Sequence, residues 1–458
     1  MSPTARYAFV WSVIAAGLLP VQTLRADDTV LASSSPVAPV AAAGVASISS
    51  LDLSRRDNTS VATLDLTAAP DDLWQRMRQG FAMQDLDMNL VGERQAWYTA
   101  RPTALKAVLE RGSKYLYYIV GELEKRGMPT ELALLPLVES AFNPLAYSPA
   151  KASGLWQFIP STGKDFNLAQ NWWVDERRDV IASTDAALNY LQALYEMHGD
   201  WHLALASYNW GENAVMRAVN KNRAKGLPTD FANLTMPVET RNYVPKLQAL
   251  KNIIANPQMF GIKLPELPNE AYFGTVEVAT SIDLATAASL AEMPVKEFLE
   301  LNPAFNRPVI PGRDDRTLVL PTEKIEIFQS NLEKGDRPLL SWRTYAVTRN
   351  ERVEDIAARF GIPAMRLRQV NGLPPRGRLA AGYTLLVPSS QGAGEFASLS
   401  LPAAAPAETA KTQNQTATPM VKTRATSAGA ATPHKPVQAS THKAAKPAKP
   451  LVKTRTRH

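Results

Sequence analysis

Apolar residues recur at helical spacing along the first half of the chain. Between Thr103 and Lys125 they return every three or four positions, which predicts an amphipathic α-helix with one buried face. That face comprises Leu105, Val108, Leu109, Leu116, Ile119, Val120 and Leu123. Further helical patterns cover Glu131–Phe142, Ser183–Met197, Leu203–Tyr208, Asn213–Asn222 and Thr240–Ala255. Strand patterns are nearly missing here, so we expect one all-α domain over residues 71–265.

After Tyr272 the pattern changes to short strands and short helices. A strand-like stretch and two helical stretches lead to a strand candidate at Thr317–Leu320. The same order returns about 70 residues later and ends in a second strand candidate, Thr384–Val387. We therefore predict two small βααβ modules, at residues 272–325 and 343–389.

Composition marks two segments outside these domains. Residues 27–70 are rich in Ala, Ser, Val and Thr without a period, which predicts a linker. Residues 390–458 contain few large apolar side chains, so we expect a disordered tail. Residues 401–458 hold ten Lys or Arg and one acid, a charge of +9; the chain's total is +7, so the rest sums to −2.

This charge distribution bears on the partners of the chain. The folded part lacks a basic surface, so no nucleic-acid partner is expected. The basic tail could contact anionic wall polymer or a membrane surface by charge, or it could remain solvated without a specific partner.

The N-terminus has the layout of a secretory signal. Arg6 precedes an apolar run, Tyr7–Leu19, and Ala26 stands as a small residue before two acids. The run is short for a membrane span, which needs about 20 residues. We predict a signal peptide over residues 1–26 and a location in the periplasm or cell envelope, with an uncleaved inner-membrane anchor as the alternative.

The chain has no Cys, which excludes disulfides, a thiolate nucleophile and Cys-ligated metals. For the same reason we expect no anchor on an N-terminal lipidated Cys. His198 and His202 have the i, i+4 spacing of metal ligands, but Gly199 breaks the helix between them and no acidic third ligand is evident. We therefore expect neither a metal nor a cofactor.

Glu139 is the first candidate for chemistry. It lies near the end of an otherwise apolar helical stretch, LALLPLVESAF, in which Leu135, Val138 and Phe142 are one turn or less away. Desolvation in such surroundings raises the pKa of a carboxyl group, and a protonated Glu can donate to a glycosidic oxygen. The structural alternative is a solvated Glu at a helix end.

Three more motifs follow Glu139-Ser140 in order: GLWQ at 154–157, YNWG at 208–211 and ETRNYV at 239–244. The ordered set resembles the soluble-lytic-transglycosylase catalytic domain, and within it the membrane-bound lytic murein transglycosylase D family. The resemblance covers residues 71–265, implies a lysozyme-like helical fold, and continues more weakly to residue 388.

The resemblance also implies roles for individual residues. Glu139 matches the catalytic acid/base. The residues that match substrate-contacting positions are Ser140, Gln157, Tyr208, Asn209 and Tyr243. Ordinary helix-end hydrogen bonding is the structural alternative for several of them. Of the many Trp residues, we expect only Trp156 near the groove and the others in the core.

The family's reaction needs one carboxyl group because the substrate supplies the second function. Glu139 would protonate the oxygen between MurNAc and GlcNAc, and would then accept the proton of the C6 hydroxyl as it closes a 1,6-anhydro ring. Asp165, Glu212 and Glu239 are near in the chain, so goose-type lysozyme hydrolysis with a second carboxylate is an alternative. A non-catalytic peptidoglycan-binding scaffold is another.

Residues 345–388 resemble a LysM domain, which binds N-acetylglucosamine, so the implied partner is the glycan strand of peptidoglycan. LysM domains have Gly-Asp-Thr after the first strand, where this chain has Asn350-Glu351-Arg352, and this departure lowers the expected affinity. The unit at 272–325 resembles a degenerate copy and is expected to act at most as a spacer. We expect a monomer.

Overall fold

The protein is described from a computed structural model that covers residue 70 and residues 72–313, 316–335 and 338–389. The predicted signal peptide, almost all of the predicted linker and the basic tail lie outside the described residues. Within those residues, no helix has both the length and the apolar character that crossing a membrane requires.

The first half of the described chain is helical, as the periodicity predicts. Its α-helices are α1 (Leu73–Gln79), α2 (Asn89–Thr99), α3 (Pro102–Lys125), α4 (Leu135–Ser140), α5 (Pro160–Asp165), α6 (Val180–His198), α7 (Trp201–Trp210), α8 (Glu212–Arg223) and α9 (Val238–Ala255). Short 3-10 helices lie at Thr130–Leu134, Phe231–Asn233 and Pro257–Phe260. The expected all-α fold class of this part is confirmed.

Local sequence explains where these helices begin. Pro102 occupies the first turn of α3, where its missing N–H costs no hydrogen bond. The Asp179 carboxylate accepts hydrogen bonds from the first amides of α6, and Asp200 does the same for α7. These caps extend α6 and α7 by two or three residues beyond the apolar patterns. Val108 is half-buried, whereas the other predicted core positions of α3 are buried.

The helices enclose one large apolar core. Helix α9 lies against α2 and α7, and α6 packs on α7. The two ends of the domain meet, because the Trp74 indole N–H donates to the Pro265 carbonyl at 2.8 Å and the Leu73 amide donates to the Leu267 carbonyl at 2.9 Å. The apolar surface of α1 is thus covered by the chain that leaves α9.

Two βααβ modules follow, as predicted. The first comprises β1 (Phe273–Glu277), β2 (Ile282–Asp283), α10 (Leu284–Leu290), α11 (Val295–Leu301), β3 (Val309–Ile310), β4 (Thr317–Pro321) and α12 (Ile325–Lys334). The second comprises β5 (Trp342–Ala346), β6 (Glu351–Arg352), α13 (Val353–Arg359), α14 (Ala364–Asn371), β7 (Arg378–Leu379) and β8 (Thr384–Pro388). The sequence analysis did not include α12, which buries Phe328 in the core of the first module.

The modules repeat each other in register and in one buried side chain. In each, the outer strands pair antiparallel from first residue to last, β1 with β4 and β5 with β8. Asn302 in the first module donates to the carbonyl four residues earlier and bonds both backbone groups of Val319 in β4. Asn371 makes the same bonds with Leu367 and Leu386 in the second. One polar side chain thus joins the second helix of each module, α11 or α14, to the last strand of that module.

Candidate active site

Glu139 lies in the last turn of α4 and is only 8% exposed. Ala141 and Phe142 follow with φ angles of 51° and 55°, so the helix ends abruptly and the chain turns away from the carboxyl group. Burial raises the pKa of Glu139 from 4.5 to about 7. The expected desolvated acid is therefore present, and it can be protonated at neutral pH.

The Tyr243 hydroxyl, from α9, donates a hydrogen bond to the Glu139 carboxylate. Burial and the charge of Glu139 raise the pKa of Tyr243 well above 10, so the phenol keeps its proton and remains a donor. This hydrogen bond and the nearby Lys246 charge lower the pKa of Glu139, and Glu239 raises it. Desolvation outweighs the hydrogen bond, and the carboxyl group stays a weak acid.

The segment from Ala146 to Phe158, which we call the corner loop, runs beside Glu139. Gln157 adopts a φ of 50°, and its amide donates to the Gly154 carbonyl at 2.8 Å and the Ala146 carbonyl at 3.3 Å. Trp156 is fully buried, with its indole N–H donating to the Thr184 hydroxyl at 3.0 Å. The expectation that the Trp156 side chain borders the groove is wrong, because it fills the core beneath the loop.

Two hydroxyl groups bind carbonyl oxygens of the corner loop. The Ser140 hydroxyl lies 2.9 Å from the Leu155 carbonyl and 3.0 Å from the Pro136 carbonyl. The Tyr208 hydroxyl donates to the Trp156 carbonyl at 2.8 Å. Both bonds connect the loop to the helices that carry Glu139 and Tyr208, so they fix the loop relative to the acid.

Asn209 joins two further elements of the site. Its side-chain oxygen, at the end of α7, accepts a hydrogen bond of 2.8 Å from the Thr240 hydroxyl in the first turn of α9. Arg241 binds the Ala232 and Leu234 carbonyls at 2.7 and 2.9 Å. Arg241 therefore joins the first turn of α9 to the loop that precedes it.

A groove of about 340 Å³ opens beside Glu139. Four of the six residues singled out from the sequence line it: Glu139, Gln157, Tyr208 and Asn209. Tyr243 and Ser140 lie behind its wall, where they bind Glu139 and the corner loop. Further lining side chains that the sequence analysis did not assign to the groove include Phe158, Thr162, Trp210, Arg217 and Thr240. Trp210 directly follows Tyr208-Asn209, so its position in the motif was an available signal.

Three more carboxylates line the same groove: Asp165, Glu212 and Glu239. Glu212 accepts hydrogen bonds of 3.0 Å from the Tyr190 hydroxyl and from the Asn213 amide. Glu239 lies one turn before Tyr243 and is close enough to raise the pKa of Glu139. The groove therefore contains residues of the type that a second catalytic carboxylate would require.

The candidate metal ligands have other partners. Nε2 of His198 lies 2.8 Å from the Ser207 hydroxyl, and Nε2 of His202 lies 3.0 Å from the Gln84 carbonyl. Across the part of the chain that the structure describes, no cluster of three or more His, Cys, Asp or Glu is arranged to hold a metal ion.

In the second module, one of the residues that replace the usual Gly-Asp-Thr of LysM domains, Glu351, forms an ion pair. Glu351 in β6 binds the Arg359 guanidinium at 2.5 Å and accepts a hydrogen bond from the Tyr345 hydroxyl at 3.2 Å. The Glu351 carboxylate is thus paired within the module at the position where the sequence departs from Gly-Asp-Thr.

Comparison with protein families finds three matches along the chain. Residues 117–230 match the transglycosylase SLT domain, residues 272–337 match the LysM-like domain of the lytic transglycosylase MltD, and residues 345–388 match the LysM domain. Both predicted modules are thus confirmed as LysM-like.

Curated relatives point to the same family. The chain is 35% identical over 355 residues to membrane-bound lytic murein transglycosylase D of Escherichia coli K12, covering 74% of this chain and 76% of that protein. It is 47% identical over 135 residues to a putative tributyltin chloride resistance protein of Alteromonas sp. M-1, covering 29% and 64%. It is 27% identical over 191 residues to membrane-bound lytic murein transglycosylase C of Sodalis glossinidius, covering 36% and 54%.

Proposed function

Since the chain belongs to the membrane-bound lytic murein transglycosylase D family and is a peptidoglycan lytic transglycosylase, we propose that Glu139 is its single acid/base catalyst. We also propose that its products carry 1,6-anhydroMurNAc ends. The observation that carries the first proposal is the buried Glu139 carboxyl group, which lines the groove, accepts a hydrogen bond from Tyr243 and has its pKa raised by burial to about 7. The second proposal rests on membership of this family.

In the first step Glu139 acts as a general acid. Its proton passes to the oxygen between MurNAc and GlcNAc as the bond from that oxygen to C1 of MurNAc breaks. The N-acetyl group of the same MurNAc stabilises the positive charge at C1. Glu139 is left as a carboxylate, which the Tyr243 hydroxyl stabilises by its hydrogen bond.

In the second step Glu139 acts as a general base. It takes the proton of the C6 hydroxyl of MurNAc while that oxygen bonds to C1, which closes the anhydro ring and returns Glu139 to its protonated form. The nucleophile belongs to the bound sugar, so the attack is intramolecular and benefits from a high effective molarity. Neither step requires a second carboxylate, a metal or a cofactor.

The remaining residues are proposed to hold the glycan strand. Gln157, Tyr208 and Asn209 line the groove and offer polar groups to sugar hydroxyl and N-acetyl groups. Ser140 and Tyr243 bind the corner loop and Glu139, so we assign them to orienting the acid and the loop around it. The SLT and LysM domains support peptidoglycan as the partner.

We propose a location in the cell envelope, where this substrate is found. Relatives of the chain carry the description membrane-bound. A secreted chain that starts near residue 27 fits the N-terminal pattern, and the basic tail would add electrostatic contact with anionic polymer.

Hydrolysis by water is the second candidate chemistry. The observation that favours it is the presence of Asp165, Glu212 and Glu239 in the same groove, since inverting glycosidases use a second carboxylate to activate water. Because the chain is an enzyme, the non-catalytic scaffold does not hold.

The test is mass spectrometry of purified peptidoglycan digested with the protein. Products lighter by one water than the hydrolytic ones carry the anhydro ring and support the proposal. Glu139→Gln should lower the rate by about 10³-fold, because Gln is nearly isosteric but cannot deliver a proton. Glu131→Gln is the matched control, since Glu131 is also buried but binds the Ala82 and Met83 amides outside the groove.

The three groove carboxylates decide between the two chemistries. Under the transglycosylase proposal Asp165→Asn, Glu212→Gln and Glu239→Gln each keep anhydro products as the main class. Reducing-end products from the parent protein, together with loss of activity in one of these variants, would establish hydrolysis and identify the second carboxylate.

A further inference from the structure

The first module is joined to the catalytic domain by backbone pairing. The segment 303–306 between α11 and β3 runs antiparallel to residues 173–175 of the catalytic domain, where Val174 pairs with Phe305. The Asp175 amide donates to the Ala304 carbonyl at 2.9 Å, and the Asn306 amide donates to the Trp173 carbonyl at 2.8 Å. These two bonds form a single antiparallel β-bridge between the two domains.

A buried guanidinium completes this junction. Arg178, which is 2% exposed, donates to the Pro303 carbonyl at 2.8 Å, to the Asn306 side-chain oxygen at 2.6 Å and to the Ala304 carbonyl at 3.2 Å. The side-chain amide of Asn306 donates in turn to the Asn171 carbonyl at 3.0 Å. A satisfied buried polar network admits few alternative arrangements, so the two domains are held in one relative position here.

At this junction each domain also contributes apolar side chains to the core of the other. Val174 of the catalytic domain packs in the core of the first module beside Phe305. Leu301 and Val319 of the module pack in the core of the catalytic domain. A wall-binding spacer would require neither exchange.

Arg177, the residue before Arg178, connects the junction to the groove. Arg177 is held by Asp175 at 2.9 and 2.7 Å, and its guanidinium donates to the Lys151 carbonyl at 2.6 Å and the Phe158 carbonyl at 3.0 Å. These two carbonyls bracket the part of the corner loop that contains Gln157. The loop in turn accepts hydrogen bonds from Ser140, the residue after Glu139, and from Tyr208, which lines the groove together with Glu139.

We propose that the first module is a positioning element of the catalytic groove, with Arg178 and Asn306 as its positioning residues. Through them the module fixes residues 171–178, Arg177 fixes the corner loop, and the loop forms one wall of the groove beside Glu139. The proposal rests on the lytic transglycosylase activity of the chain and is independent of whether its products carry anhydro or reducing ends.

The experiment uses the full chain and soluble glycan fragments of peptidoglycan, with intact sacculi in parallel. Arg178→Met removes the three donated hydrogen bonds and keeps much of the apolar stem. We expect kcat on soluble fragments to fall by about 10- to 100-fold with a smaller change in KM, since a displacement of about 1 Å in a groove wall has effects of this size. Binding to sacculi should remain.

Asn306→Ala provides a second variant, because it removes the side-chain hydrogen bonds of Asn306 and leaves the two backbone hydrogen bonds and the apolar contacts of the junction in place. Asn306→Ala should also lower kcat, and this result does not depend on whether Arg178→Met folds. Arg178→Lys retains the charge and a donor, so its kcat should lie between those of Arg178→Met and the parent. Lys114→Met is the matched control, since Lys114 pairs with Glu300 at 2.6 Å across the same two domains in a partly exposed position. It should leave kcat unchanged.

Two results would overturn the proposal. One is a folded Asn306→Ala protein with the parent's kcat on soluble fragments. The other is a loss confined to sacculi, which would make the module a wall-binding unit only. Reducing-end products would contradict the anhydro chemistry above and leave these rate comparisons valid.

Discussion

At Glu139, burial and hydrogen bonding act on the pKa in opposite directions. Desolvation raises it, the Tyr243 hydroxyl and the Lys246 charge lower it, and Glu239 raises it again. Burial is the largest effect, so the group reaches a pKa of about 7 and can both give and accept a proton near neutral pH. A reaction that uses one carboxyl group twice requires such a balance.

The same shift predicts a pH-dependent stability. Glu139 binds its proton more tightly in the folded protein than in the unfolded chain, so this contribution is complete below pH 4.5 and is lost as the pH rises through about 7. Glu139→Gln has no such loss. We therefore expect the free energy of unfolding of this variant, relative to that of the parent, to increase by at most about 3 kcal/mol as the pH rises from 4.5 to 8. Chemical denaturation at several pH values measures the difference.

A surface substitution controls for the lost negative charge. Glu110→Gln on the exposed side of α3 removes one carboxylate, which pairs with Lys106 at 3.5 Å. A stability difference for Glu139→Gln that stays constant across this pH range would show that burial does not raise the pKa of Glu139.

Individual side chains also show the limits of prediction from sequence. The burial of Glu139 could be predicted, because apolar residues within one turn surround it in the chain itself. The contacts of Ser140 and the burial of Trp156 could not, since their partners Leu155 and Thr184 are 15 and 28 residues away. Such contacts depend on how the corner loop folds back, and no local pattern encodes that.

Among the elements, the helices follow from sequence and the corner loop does not. Helices α3, α6 and α9 have long apolar faces, so periodicity fixes their existence, and the Asp caps fix where α6 and α7 begin. The corner loop has no period. Its course depends on Gly154, which has a φ of 86° and whose Cα lies against the backbone of Arg177.

Gly154→Ala should therefore disrupt the corner loop. A Cβ at this position would lie 2.0 Å from the Arg177 carbonyl oxygen, and backbone on both sides leaves no side chain to rotate away. We expect the free energy of unfolding to fall by about 3 kcal/mol or more, with loss of activity. Gly199→Ala is the matched control, since Gly199 has a φ of 65° and no atom within 4 Å of its Cβ position.

For Gly199→Ala only the backbone cost of about 1–2 kcal/mol applies, and activity should persist. Denaturant titration and turnover of soluble fragments compare the two variants. Equal losses of stability would mean that the close approach to Arg177 does not constrain the corner loop.

At the scale of the molecule, the repeat was predictable and its packing was not. The two modules share strand order, register and a buried Asn, and each copy carries its own pattern in the sequence. The junction between the first module and the catalytic domain joins Arg178 to Asn306, 128 residues apart. Neither residue has a local signal, since a buried Arg bound to carbonyl groups looks in sequence like any surface Arg.

The distribution of charge over the whole chain leads to a last prediction. Residues 401–458, which lie outside the described part, carry a charge of +9 against −2 for the rest. Deleting them should leave turnover of soluble fragments unchanged, because residues between Glu139 and Thr240 form the groove and the corner loop in the described part of the chain. At low salt the deletion variant should bind anionic sacculi more weakly than the parent does. This difference should vanish near 1 M salt, where the Debye length is about 3 Å.

A full-length variant with the ten Lys and Arg of this segment replaced by Gln separates charge from chain length. It should behave as the deletion does in sedimentation assays with sacculi across a salt series. If the deletion lowers the turnover of soluble fragments, or if the binding difference persists at high salt, the segment contributes more than charge. Retained binding by the Gln variant would assign the effect to the segment's other residues.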